Sequence, residues 1–227
     1  MSDWLTQDRF TIDQLIRPMA NLYRISAGSS PVAFVRQKKL AIKEDIRFYA
    51  DESQTEELFR IKARALLEFG GRYDVTTPAG ERVGVLEKVF GKSLLRSTWR
   101  ILDANEQELA IAKERSVPMA LLRRAIDAVP YGDFIPIVFH FTIDAADQHL
   151  GDLNRRLGLR DTYDLDLSGD AERTIDRRLA IALGIALDAL KSRETSIRRG
   201  GCSSSGRPLK GPLRGPPAPS PPLKQRA

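Results

Sequence analysis

Cysteine is nearly missing from this 227-residue chain, which has Cys202 alone, and histidine appears only as His140 and His149. A single cysteine rules out an intrachain disulfide framework and any zinc site built from several thiolates, and it fits a reducing cytosol. Neither histidine has a second ligand at metal-binding spacing, and neither HExxH nor GxSxG occurs. The sequence therefore reads as a non-enzyme that needs no cofactor. The opening residues, MSDWLTQDRF, lack a basic start followed by an apolar core, so no secretory signal is expected. No run reaches the ~18–20 apolar residues of a spanning helix, so no transmembrane segment is expected either.

Acidic residues are also missing, but only from residues 195–227, where Arg198, Arg199, Arg207, Lys210, Arg214, Lys224 and Arg226 stand without a carboxylate. The whole chain has 36 basic and 30 acidic residues, so 29 basic residues face 30 acidic ones once those seven are set aside. The basic balance belongs to the tail, and no nucleic-acid footprint is expected on the folded part. The segment GGCSSSGRPLKGPLRGPPAPSPPLKQRA is rich in proline and poor in large apolar residues. Too little surface is available there to offset chain entropy, which predicts a disordered tail over 194–227.

What is present ahead of the tail is a succession of short alternating runs. Residues 1–20 read as an N-terminal extension in which TIDQLIR, Thr11 to Arg17, makes a short helix stopped by Pro18. Strands are predicted at 22–26, 32–38, around Ile42, Ile46 and Phe48, at 56–64, and in the hairpins RYDVTT-PAGE-RVGVLEKVF and RSTWRILD-ANEQ-ELAIAKER. Ser116 caps an amphipathic helix through VPMALLRRAIDAV. Further strands follow at 136–144, 149–156 and 162–168, the last with Tyr163, Leu165 and Leu167 on one face. Eleven or twelve strands separated by turns about every ten residues indicate an antiparallel sandwich or barrel.

The stretch DRRLAIALGIALDAL, residues 176–190, has no polar side chain from Leu179 to Leu187. A helix here is oily on every side. Residues 179–190 span about 18 Å at 1.5 Å per residue, too short for a hydrocarbon core of roughly 30 Å, and they lack the polar face of an interfacial helix. Burial within the protein remains. A closed barrel of about twelve strands encloses a lumen wide enough for one helix, so a central helix near 172–192 is predicted as the core. Its packing residues are Leu179, Ile181, Leu183, Ile185, Leu187 and Leu190, each contributing roughly 1.5–3 kcal/mol on burial.

The strand order followed by LDLSGDAERTIDRRLAIALGIALDAL resembles the tubby C-terminal-like superfamily, in particular its LURP-one-related branch, with phospholipid scramblases as relatives. The segments VAFVRQKKLAIKEDIRFY and ERVGVLEKVFGKSLLRSTWRILD carry the likeness along with the terminal helix, over roughly residues 20–193. The resemblance implies a mainly β fold, a closed antiparallel barrel around a hydrophobic C-terminal helix in a domain of residues 21–193. It implies a non-catalytic binding module.

Three local motifs invite chemistry. GKS at 91–93 lacks the Walker A glycine five positions earlier, where Leu86 stands. Asp164, Asp166 and Ser168, followed by Gly169, start like a calcium loop, but its twelfth place holds Ile175 in place of a bidentate Glu. Capping of a helix N-terminus by Asp170 and Glu172 is the plainer account of that stretch. Arg36, Lys38, Lys39 and Lys43 gather around a strand–turn–strand and suit anionic lipid headgroups, which tubby-like domains bind. A solvated face balanced by Glu44 and Asp45 is the alternative. Peripheral contact with an anionic phospholipid surface by a cytoplasmic protein is thus the first functional expectation. A protein-interaction or stress-associated structural module with unknown partners is the second, and scramblase-like lipid handling the third.

Overall fold

The computed structural model describes residues 3–16, 20–38, 45–64, 71–89, 97–115, 140–156 and 161–200. A 3-10 turn (Asp3–Thr6) precedes twelve strands: β1 (Arg9–Ile16), β2 (Ala20–Ala27), β3 (Ser30–Lys38), β4 (Asp45–Tyr49), β5 (Glu57–Ala63), β6 (Arg72–Thr76), β7 (Arg82–Val89), β8 (Thr98–Leu102), β9 (Glu108–Glu114), β10 (His140–Ala145), β11 (Gln148–Arg156) and β12 (Thr162–Asp166). One helix, α1 (Arg177–Gly200), follows. By its internal contacts the chain divides into a compact unit of residues 1–189 and a second from Leu190 to Ala227, which holds the rest of α1.

Each strand pairs antiparallel with its sequence neighbours, and β1 closes on β12, giving a closed up-and-down barrel. Alternation builds the wall. Ile46 and Phe48, Phe59 and Ile61, Tyr73 and Val75, Phe141 and Ile143, and Tyr163 and Leu165 are buried, while the residues between them face outward. Closure leaves no sheet edge along the β1–β12 seam, where Phe10 stands opposite Leu165 and Ile12 opposite Tyr163.

The segment expected to be a short helix over 11–17 is instead β1. Its Phe10 and Ile12 are buried and its Thr11 and Asp13 are not, a period of two. Two flanking strands, β12 and β2, offer it ladder partners along its length, and that pairing outweighs the local helical spacing. The barrel therefore begins at Arg9, ahead of residue 21. The expected amphipathic helix after Ser116 and the GKS turn lie outside the described residues.

The oily segment lies in the barrel. Leu179, Ala180, Ile181, Ala182, Leu183 and Ile185 are 0% exposed. Leu187, near the end of the enclosed stretch, is half-buried, and the side chain of Leu190 lies outside the described residues. Among the described residues, no helix is long and apolar enough to cross a membrane.

The helix starts later than residue 172. Arg173 has φ 55°, which a right-handed helix does not tolerate. Asp176 is the N-cap: its carboxylate accepts from the Arg178 amide at 2.8 Å, and its carbonyl from Leu179 at 2.9 Å. Asp170 acts instead within the preceding turn, accepting from the amides of Thr174 at 2.8 Å and Ile175 at 3.1 Å. At its far end α1 runs on to Gly200, beyond the expected boundary, and residues 201–227 lie outside the described residues.

Wall and helix approach each other closely at two glycines. A Cβ on Gly84 of β7 would lie 2.4 Å from the Leu102 carbonyl oxygen and 2.8 Å from a Leu179 methyl. One on Gly184 of α1 would meet the Ile12 Cδ1 at 2.7 Å. Backbone cannot swing aside, whereas the end of an isoleucine can. Gly84→Ala is therefore expected to lower stability by about 1–3 kcal/mol in urea unfolding. Gly184→Ala gains up to about 1 kcal/mol of helix propensity against its clash, so its net change should stay below that. Equal losses at the two positions would contradict this packing.

Candidate functional site

The antiparallel meander gives the barrel two distinct ends. At one, the helix enters between the start of β1 and the end of β12. At the other lie the end of β3 and the start of β4, with the Asp188 turn of the helix. The outer wall near this second end carries the basic residues. Arg36 on β3 stands opposite Arg47 on β4, which in turn stands opposite Arg60 on β5. Three guanidinium-bearing positions thus line up across three strands on the outward face. Arg47 pairs with Asp45 at 3.2 Å and with Glu57 at 3.6 Å, and Arg60 pairs with Glu57 at 2.6 Å. Arg36 is exposed and has no ion pair among the described residues.

Of the predicted cluster, Arg36 and the Lys38 backbone belong to β3, while Lys39 and Lys43 lie outside the described residues. Arg47 and Arg60 escaped the sequence reading. Alternation marks both as outward-facing, but only the strand register puts them in line with Arg36.

Inside the barrel the helix is held by charge at both ends. Arg177 is 2% exposed. It donates to Asp170 and to Asp8, each at 2.6 Å, and to the carbonyls of Gln7 and Ile175, each at 3.0 Å. Arg173 donates to the carbonyls of Leu5 and Thr6, so the N-terminal segment is fastened across this end. At the opposite end Asp188, 4% exposed, accepts from the Tyr23 hydroxyl at 2.6 Å, from the Tyr163 hydroxyl, and from Gln14 Nε2 at 3.1 Å.

Burial, and then the adjacent Asp188 charge, hold both tyrosine hydroxyls well above the usual phenol range. They remain donors throughout the physiological range and are poor bases or nucleophiles. The arrangement anchors a helix; it does not activate a reacting group. The sequence signal was Asp188 itself, a lone acid at the end of an oily run.

The calcium-like trio is engaged elsewhere. Asp164 pairs with Arg156, and Asp166 accepts from the Ser168 amide at 2.9 Å and pairs with Arg9 at 3.1 Å. Ser168 donates its hydroxyl to Asp166 in the same turn. Among the described residues no cluster of three metal-ligating side chains forms. His140 contacts Asn154 at 2.7 Å on the exposed face of β10–β11. His149 bridges two carboxylates, Asp144 at 2.9 Å and Asp152 at 3.1 Å. The hydrogen bond to Asp144 is the largest influence raising its pKa above the ordinary imidazole value, with Asp152 adding to it.

The structure defines a closed meander barrel whose lumen is filled by its own helix, with Arg177 and Asp188 anchoring that helix. A family model described as LURP-one-related matches residues 32–188, more than half of the chain, and the chain belongs to that family. The fold and the central helix match what the likeness to tubby-like barrels implied. The matched span runs from β3 to Asp188, so Gln14 and Tyr23 come from strands that precede it. No curated protein matches the chain.

Two expectations follow. Asp188→Ala leaves two buried hydroxyls without an acceptor, at about 1–3 kcal/mol each, and should cost about 2–5 kcal/mol in urea unfolding. In a Tyr23→Phe, Tyr163→Phe background the same substitution should cost less, because the partners are already gone. For His149 the folded-state pKa is raised, so its contribution is full below about pH 6.5 and fades as pH rises through the folded value. The melting temperature should carry a component that falls above about pH 6.5 and is missing in His149→Gln. An NMR titration of His149 at or below the ordinary imidazole value would refute this.

Proposed function

We propose that the protein is a non-catalytic module that docks peripherally on anionic phospholipid headgroups, in the cytoplasm, through the basic cluster Arg36, Lys38, Lys39 and Lys43. The observation that supports this reading best is the exposed guanidinium of Arg36, without an ion pair among the described residues, in register with Arg47 and Arg60. Guanidinium groups grip phosphate oxygens two at a time, and a row of them on a strand wall meets a plane of headgroups side-on. Each basic residue near an anionic surface contributes about 1 kcal/mol, so four suffice for reversible docking. The acid-free tail adds long-range attraction.

A second reading, a protein-interaction or stress-associated structural module with no lipid role, draws on the partial neutralisation of the row by Asp45 and Glu57. Scramblase-like handling finds less support, because the apolar helix is consumed as core. Co-sedimentation with vesicles separates the first two. Anionic vesicles should pellet the protein, less so as salt rises, and less again for Arg36→Glu or for Lys38→Glu with Lys39→Glu. Equal pelleting with neutral and anionic vesicles would discard the lipid reading.

A further inference from the structure

The barrel wall is incomplete at the end where the helix enters. β3 runs beside β2 from Ser30 but gains β4 as a neighbour only from Phe34, because β4 stops at Tyr49. On the far side of that gap, Leu58 of β5 is the extra residue of a bulge, since Phe59 faces Phe48 and Glu57 faces Tyr49. Among the described residues, residues 30–33 therefore have a strand on one side and none on the other, with Val32 the extra residue of a bulge in β3, since Ala33 faces Ile25 and Pro31 faces Ser26. The gap opens as a cleft of about 460 Å³ whose lining includes Asp3, Trp4, Pro31, Val32, Glu56 and Leu58.

Three features give this cleft a chemical character. Trp4 is half-buried and set by the aromatic core, with its ring 6.4 Å from both Phe10 and Phe59, and Phe59 stacks on Phe48 at 4.0 Å. Asp3 and Glu56 are exposed carboxylates without an ion pair among the described residues. Among the described residues no lysine or arginine lines the cleft. A cation finds there both acid partners and an indole face, and cation–π attraction adds to the carboxylates. A strand edge adds backbone donors and acceptors, with Pro31 removing one donor and keeping any added strand short.

We propose that this cleft binds a short extended segment of a partner protein, adding it to the edge of β3 and seating an arginine or lysine against Trp4, Asp3 and Glu56. The site goes beyond the headgroup reading and does not depend on it. It lies at the start of β3, about 20 Å along the strand from Arg36 at 3.3 Å per residue, so one strand would serve a membrane and a basic peptide at its two ends.

The probe is a fluorescein-labelled, end-blocked octapeptide of alternating Arg and Val, titrated with the full chain without lipid and followed by anisotropy. Saturable binding is expected. Asp3→Asn with Glu56→Gln should weaken it about tenfold, the sum of two exposed ion pairs. Both positions are on the surface, and unchanged circular dichroism would show the fold intact. A peptide N-methylated at alternate residues keeps its charge but loses backbone donors, and it should bind more weakly still. No saturable binding, an unchanged affinity in the double variant, or full binding of the N-methylated peptide would each overturn the proposal. Because no vesicle is present, none of these results bears on the lipid reading.

Discussion

A helix with no polar face has to be enclosed, and most of this architecture follows from enclosing the one at Leu179–Ala186. Six of its residues are completely hidden from solvent. A four-stranded sheet hides one side of a helix, and a sandwich hides two. Only a closed wall hides all sides, and about a dozen strands give the circumference that a cylinder ~10 Å across requires. The alanines at 180, 182 and 186 and Gly184 keep the cylinder narrow. Gly84 lets the wall approach Leu179 where any side chain would collide.

An oily rod in an oily tube has no preferred depth, because sliding it exchanges one apolar contact for another. The charged groups supply the depth. Arg177 and Asp188, some 17 Å apart at 1.5 Å per residue, each sit at a barrel end, Arg177 bonded by the segments flanking β1 and β12 and Asp188 by the wall. Charges this buried are tolerable only when so satisfied. A shift of the helix by one residue would break the Asp170 and Asp8 contacts at one end and the two tyrosine contacts at the other. Uniform packing therefore gives stability, and the two ends give position.

Strand periodicity made most of the wall legible. Alternating runs such as Phe59–Ile61 against Arg60–Lys62 leave no doubt about strand and face, and nine unbroken apolar residues left the helix one place to go. The first strand was hidden because Thr11 to Arg17 fits helical spacing equally well over so few residues. What decides it is the need of β12 and β2 for a partner, a long-range demand that no local pattern carries. The helix start was misplaced for a related reason. Asp170 and Glu172 look like first-turn acids, yet Asp170 is claimed by Arg177, and Arg173 turns the chain left-handed between them. Of the outer basic row only Arg36 was visible in advance, since register is a property of pairs of strands.

Filling the lumen also decides where function can reside. An open barrel of this kind places its ligand inside, but here the interior is occupied by residues 177–188 of the same chain. Recognition is left to the outer wall and the rims. Among the described residues β3 reaches both: Arg36 faces out near one end, and residues 30–33 run past the end of β4 at the other. The second feature exists because β4 ends at Tyr49, opposite Phe34, while β3 has already run from Ser30. A longer β4 would close the gap and leave the wall continuous. The early end of β4 at Tyr49 is thus what leaves the start of β3 without a partner strand on that side among the described residues, in a wall that otherwise seals the helix.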